Sequence, residues 1–161
     1  MDTSPFPFLF SLFLKYFWLI AIAFTFINLP IMKARADKYI QEDPSLEDGY
    51  NSLLRGFMVY TNLPWVAMGM GMIFGDFDTV FDILFGLRSG NPFVWLFYAT
   101  VIGLWILLFA WVYFWGGAEM LANHPGFTSH LKQSPTAVKI KIALSAAGGI
   151  DVLYAISNMN W

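Results

Sequence analysis

Four stretches of the chain, at about 8–32, 56–75, 92–115 and 136–158, are overwhelmingly apolar. A bilayer core of ~30 Å takes ~20 apolar residues in a helix, so each stretch predicts a transmembrane helix. The first contains one charge, Lys15; the second and third contain none. The fourth is the most polar, with Lys139 and Lys141 at its start and Asp151 inside. Backbone groups in hydrocarbon must be satisfied within their own segment, which favours helices over open strands. A transmembrane barrel would alternate apolar and polar residues, and residues 101–112 do not alternate. The expected architecture is an all-α integral membrane protein. Residues 1–161 form one membrane domain with four transmembrane helices and short interfacial amphipathic helices.

Helix punctuation agrees with these limits. Asn91-Pro92 reads as an N-cap followed by proline at the first helical position, and Ser134-Pro135 repeats the device. Gly116-Gly117 should stop the third span. Pro30 lies near the end of the first span, and Pro64 inside the second should kink it.

The connections carry patterns of their own. After Asp43-Pro44, residues Leu46, Tyr50, Leu53 and Leu54 fall on one helical face, which predicts a short helix on the membrane surface. Between the second and third spans, Phe77, Val80, Phe81, Leu84 and Phe85 form a complete apolar stripe at i, i+3, i+4, i+7 and i+8. That stripe predicts an interfacial helix with a phenylalanine edge in the acyl boundary. Asp76, Asp78 and Asp82 stand nearby, but without the fixed ligand spacing of a calcium loop they read as a solvated acidic face.

Charge sets the orientation. Seven of the nine basic residues (Lys33, Arg35, Lys38, Arg55, Lys132, Lys139 and Lys141) lie in or beside the first and third connections. The second connection has only Arg88. By the positive-inside rule the first and third connections are cytoplasmic and both termini are outside. The start Met1-Asp2-Thr3-Ser4 lacks the basic segment of a signal peptide, so the first span should be retained. A net charge of −2 gives no electrostatic case for nucleic acid. With no cysteine, disulfide frameworks, thiolate metal sites and cysteine nucleophiles are ruled out.

Candidate chemistry is sparse. His124 and His130 follow the third span, and one imidazole suffices to ligate haem or chlorophyll. Both lie beyond Gly116-Gly117, which favours turn histidines at the headgroups. No paired-histidine metal motif and no nucleophile–base–orienter set appears, so neither a metal site nor an enzyme is expected. Ala67, Gly71 and Gly75 form a small-residue ridge in the second span, Ala99 and Gly103 one in the third, Ser145 and Gly149 one in the fourth. Each permits close helix approach, within the chain or with a partner. The third span holds ten aromatics in 24 positions. Trp105 and Phe109 lie too deep for an interfacial belt, and suit either helix packing or contact with a quinone, carotenoid or porphyrin.

Asn62-Leu63-Pro64-Trp65, Asn91-Pro92-Phe93, Gly116-Gly117-Ala118-Glu119-Met120, His124-Pro125-Gly126 and Ser134-Pro135-Thr136 resemble a family of small, uncharacterised bacterial inner-membrane proteins. The resemblance covers the second to fourth spans. It implies a bacterial inner membrane and brings no activity, cofactor or active site.

The leading expectation is an accessory, structural or assembly subunit packed against a larger membrane complex, respiratory or photosynthetic. Its partners would be the bilayer and other membrane subunits. A small oligomeric transporter or channel comes second, and a haem- or pigment-binding protein third. One helix contact is also expected. Lys15 and Asp151 each lie seven residues inside the outer end of a span, ~10 Å deep at 1.5 Å per residue. A lone charge there costs at least ~2.5 kcal/mol, so the two should pair and bring the first and fourth spans together. Otherwise Lys15 snorkels outward alone.

Overall fold

A computed structural model describes residues 6–127 and 133–158 of the chain. Every regular element among the described residues is helical: α1 (Phe6–Glu42), α2 (Glu47–Phe74), α3 (Val80–Leu84), α4 (Pro92–Phe114), α5 (Gly117–Asn123) and α6 (Pro135–Asn158). Short 3-10 turns at Pro44–Leu46 and Gly86–Arg88 complete the order. Three helical stretches, Phe8–Glu42, Pro44–Phe74 and Pro92–Phe114, are long and apolar enough to cross a membrane. α6, at 24 residues, is not among these three.

The long helices begin and end where the side chains dictate. Asn91 caps α4, its side-chain oxygen accepting from the Phe93 N–H at 2.9 Å, with Pro92 in the first turn. Gly116 turns the chain at φ 77°, a left-handed conformation cheap only for glycine, and α5 starts immediately after it. Before α6, the Ser134 hydroxyl accepts from the Ala137 N–H at 3.2 Å.

The first connection is not a helix lying on the membrane. α1 runs 37 residues through Pro30 to Glu42, and α2 starts five residues later. The two form a hairpin whose turn is held by Asp43, which accepts from both the N–H and the hydroxyl of Ser45. The apolar face expected to meet lipid is buried within the protein: Tyr50, Leu53 and Leu54 are all buried. α3 likewise departs from expectation. It is five residues long and buries Val80 and Ile83, whereas Phe81 is 43% exposed. The carboxylate of Asp82 accepts from the N–H groups of Asp78 and Thr79 and so starts α3 at Val80, leaving Phe77 outside the helix.

Helix neighbours run in the order α1, α2, α4, α6, with α3 covering α2 and α4 at one end and α5 bridging α4 and α6 at the other. Two apolar clusters hold this row. One, on the α3 side, gathers Met68, Met72, Val80, Ile83, Val94, Phe97 and Tyr98. The other gathers Leu53, Val112, Ala118, Leu121, Ala122 and Val138 around α5. The basic connections meet at this second end: Tyr39 of α1 packs on Gly126, and the Tyr50 hydroxyl donates to the Pro125 carbonyl at 2.7 Å.

Candidate functional site

The most developed polar cluster sits at the basic end and is built from three elements. His124 follows α5 and is only 8% exposed. Its Nδ1 lies 2.6 Å from the Met120 carbonyl, a backbone partner that places the proton on Nδ1 in the neutral ring. The ring stands edge-on to Tyr50 with centroids 4.8 Å apart, and Tyr50 in turn stacks with Tyr39 at 6.3 Å. The other nitrogen, Nε2, presses on Gly49 of α2 and fills the space that a β-carbon there would need. Gly49 is therefore what lets the ring in.

This arrangement limits the chemistry. One imidazole nitrogen is committed to a backbone carbonyl and the other faces backbone. A porphyrin metal on His124 would require α2 to move away. The Tyr50 hydroxyl is likewise committed to Pro125. The cluster works as a clasp joining α1, α2 and the connection between α5 and α6. His130, the second candidate ligand, lies outside the described residues.

The small-residue ridges are put to different uses. Gly71 and Gly75 receive α3 and its approach: a β-carbon on Gly71 would stand 2.9 Å from Ile83 Cδ1, and one on Gly75 2.8 Å from Phe77 Cε2. Ala67 is buried on the same helix. Gly69, between the two, takes the Trp18 ring of α1. Gly149 takes the ring of Trp105, while Ser145 one turn earlier is exposed. Phe109 stacks on Tyr113 at 4.2 Å. Ala99 is exposed, and Gly103 has open space where a β-carbon would stand. They line an apolar groove of about 660 Å³ between α4 and α6, together with Trp95, Ile106, Ile150 and Tyr154.

At the opposite end, Asp76, Phe77, Asp78, Phe81, Asp82 and Phe85 line an open hollow. Asp82 is occupied as the α3 cap. Among the described residues no three His, Cys, Asp or Glu side chains are grouped to hold a metal ion.

Lys15 and Asp151 are not joined. Both are exposed, and neither takes part in the ion pair of Lys139 with Glu119 at 4.0 Å. The reason lies in the helix order: α1 docks on α2, and α6 docks on α4 and α5. Their depths differ as well: Trp18 packs at Gly69 and Gly71 at Phe93, which sets Lys15 level with the start of α4, whereas Trp105 covers Gly149 and sets Asp151 roughly ten residues, ~15 Å, further along α4.

Sequence reasoning did not find Gly49, Tyr39 or the Tyr50–Pro125 bond. Gly49 had one faint signal, a glycine in the first turn of an otherwise regular helical pattern. The contacts themselves join residues about 75 positions apart and leave no local trace. No protein-family model, curated protein or solved structure matches the chain.

Proposed function

We propose that the chain is a non-enzymatic accessory or assembly subunit that packs against a larger complex in a bacterial inner membrane, crossing the bilayer four times with both termini outside. For the fourth crossing, the support is that α6 runs antiparallel to α4 over most of its length. The Tyr113 hydroxyl donates to the Lys139 carbonyl at one end, Trp105 covers Gly149 midway, and Leu153 joins the cluster of Phe97 and Tyr98 beyond. A helix laid along a membrane span shares its environment.

The observation that carries the accessory role is how polarity is distributed. The buried polar groups of the clasp are committed within the chain, whereas α1 and α6, at the two ends of the helix row, present long uncovered faces. Phe8, Phe24, Ile27, Leu144, Ile150 and Tyr154 are each at least 60% exposed. Apolar faces alone suit lipid. Faces that also hold Lys15 and Asp151 suit a protein partner, because charge inside a membrane is normally met by another group.

The α4/α6 groove favours a second reading, binding of a pigment, quinone or other long apolar molecule along Ala99 and Gly103. One experiment separates the readings: purification from the native membrane in mild detergent, with identification of everything that accompanies the chain. A stoichiometric larger complex is expected. A bound chromophore or quinone, with no other protein, would favour the groove reading. A homo-oligomer alone that carries a solute would make it a transporter.

A further inference from the structure

We infer that Lys33 of α1 and Arg55 of α2 together seat the phosphate of an anionic phospholipid, whose acyl chains run down the seam between the two helices. The inference needs α1 and α2 to cross the membrane, and stands apart from α6 and from any partner subunit.

Register brings the two cations together. Trp18 of α1 packs at Gly69 of α2, and nearer the turn Tyr39 stacks on Tyr50 at 6.3 Å. Six residues back from Tyr39 and five on from Tyr50, Lys33 and Arg55 stand opposite each other. They also share a flank. At about 100° per residue, Lys33 lies about 60° round α1 from Trp18, and Arg55 about 40° round α2 from Gly69, in the same sense. In an antiparallel pair the same sense means the same flank. Phe17 and Trp65 are offset in the other sense, and they meet on the other flank with centroids 5.8 Å apart.

Their level is a membrane boundary. Lys33 directly follows the apolar stretch 8–32, and Arg55 directly precedes the uncharged stretch 56–75. Both side chains are exposed, and among the described residues neither has an ion-pair or hydrogen-bond partner. Asp37 and Asp48 share the flank but lie about one and two turns toward the hairpin tip, on the water side. Two like charges side by side at a lipid surface call for an anion between them. Guanidinium offers a planar fork and ammonium a point charge, and both bind phosphate. A net-negative headgroup is favoured, because a zwitterionic lipid brings a cation of its own. On the membrane side of Lys33 and Arg55 the same flank carries exposed Phe26, Val59 and Val66. That apolar seam fits acyl chains and makes a lipid, not free phosphate, the occupant.

The test mixes full-length chain in detergent with equal amounts of phosphatidylglycerol and phosphatidylcholine, and counts retained lipid by native mass spectrometry. Phosphatidylglycerol should be retained in preference. Lys33→Gln and Arg55→Gln should each lower that preference about fivefold, the worth of one cation at a lipid surface. Lys33→Arg should keep it, and so should Lys38→Gln, which removes an exposed cation on the side of α1 turned away from α2. Thermal unfolding reads the fold and the site together: added phosphatidylglycerol should raise the melting temperature of the unsubstituted chain more than that of either Gln variant. Equal retention of the two lipids, equal losses from Lys38→Gln and Lys33→Gln, or displacement of the lipid by inorganic phosphate would each overturn the inference. The chain has no cysteine, so Val59→Cys in native membranes tests the premise with a membrane-impermeant maleimide. Free labelling would take the seam out of the bilayer and overturn span and seat together. Protection without a lipid preference would overturn the seat alone.

Discussion

The imidazole of His124 occupies the space that a β-carbon on Gly49 would need. That single relationship ties α2 to the connection between α5 and α6 and makes the basic end of the protein one packed unit. Gly49→Ala should therefore push the ring out and destabilise the fold by about 1–3 kcal/mol, the usual range for overpacking. Thermal unfolding in detergent measures it. Adding His124→Ala to Gly49→Ala should recover part of the loss, because the intruding ring is gone.

Tyr50→Phe tests the same clasp more gently. It removes the hydroxyl that donates to Pro125 but keeps the ring between Tyr39 and His124. The expected cost is about 1 kcal/mol, that of one part-buried hydrogen bond. It should be smaller than the cost of Gly49→Ala. The reverse order would move the weight of the clasp from ring packing to the hydrogen bond.

His124→Ala also bears on ligand binding. With Nδ1 on the Met120 carbonyl and Nε2 against Gly49, the imidazole is committed to backbone. Any haem or pigment that accompanies the protein should keep its absorbance bands in the variant. Loss of a band would mean that His124 ligates it and that α2 moves to let it.

Gly149→Leu probes the seat of α6. The Trp105 ring lies where that side chain would go, so α6 should lose its midpoint contact with α4 and folded yield should fall. Trp105→Ala combined with Gly149→Leu should restore part of it. Ala99→Leu, which faces the open groove, should be tolerated far better.

At the opposite end, Asp82→Ala should cost about 1 kcal/mol through loss of the α3 cap. The carboxylate there accepts from the backbone N–H groups of Asp78 and Thr79, at 3.1 and 2.7 Å. A chelator should leave the melting temperature unchanged, and a large drop on chelation would assign a metal to the acidic loop.

The three apolar spans, the Asn91 cap and the Gly116 turn were legible in the sequence, because each depends on residues within one or two helical turns. What escaped depends on partners far along the chain. Tyr50, Leu53 and Leu54 were read as a face for lipid because their pattern marks them only as apolar. Leu53 is buried by Val112 and by α5, about 60 to 70 residues away, and Tyr50 lies between Tyr39 and His124. Ile83 is fully buried although it lies off the predicted phenylalanine stripe, since α3 is oriented by its Asp82 cap and by the hollow at Gly71. The expected pairing of Lys15 with Asp151 fails in depth and in neighbourhood, because both depend on how helices dock on one another, which periodicity cannot reveal.

The account stands on α6 crossing the membrane, which puts both termini on one side and Asp151 inside the bilayer. Reporter fusions measure this most directly. Fusions after Asp43 and after His130 should read cytoplasmic, and fusions beside Arg88 and after Trp161 external, as the distribution of basic residues requires. A cytoplasmic reading after Trp161 would contradict the account, leaving three spans and α6 lying against the protein on the cytoplasmic side.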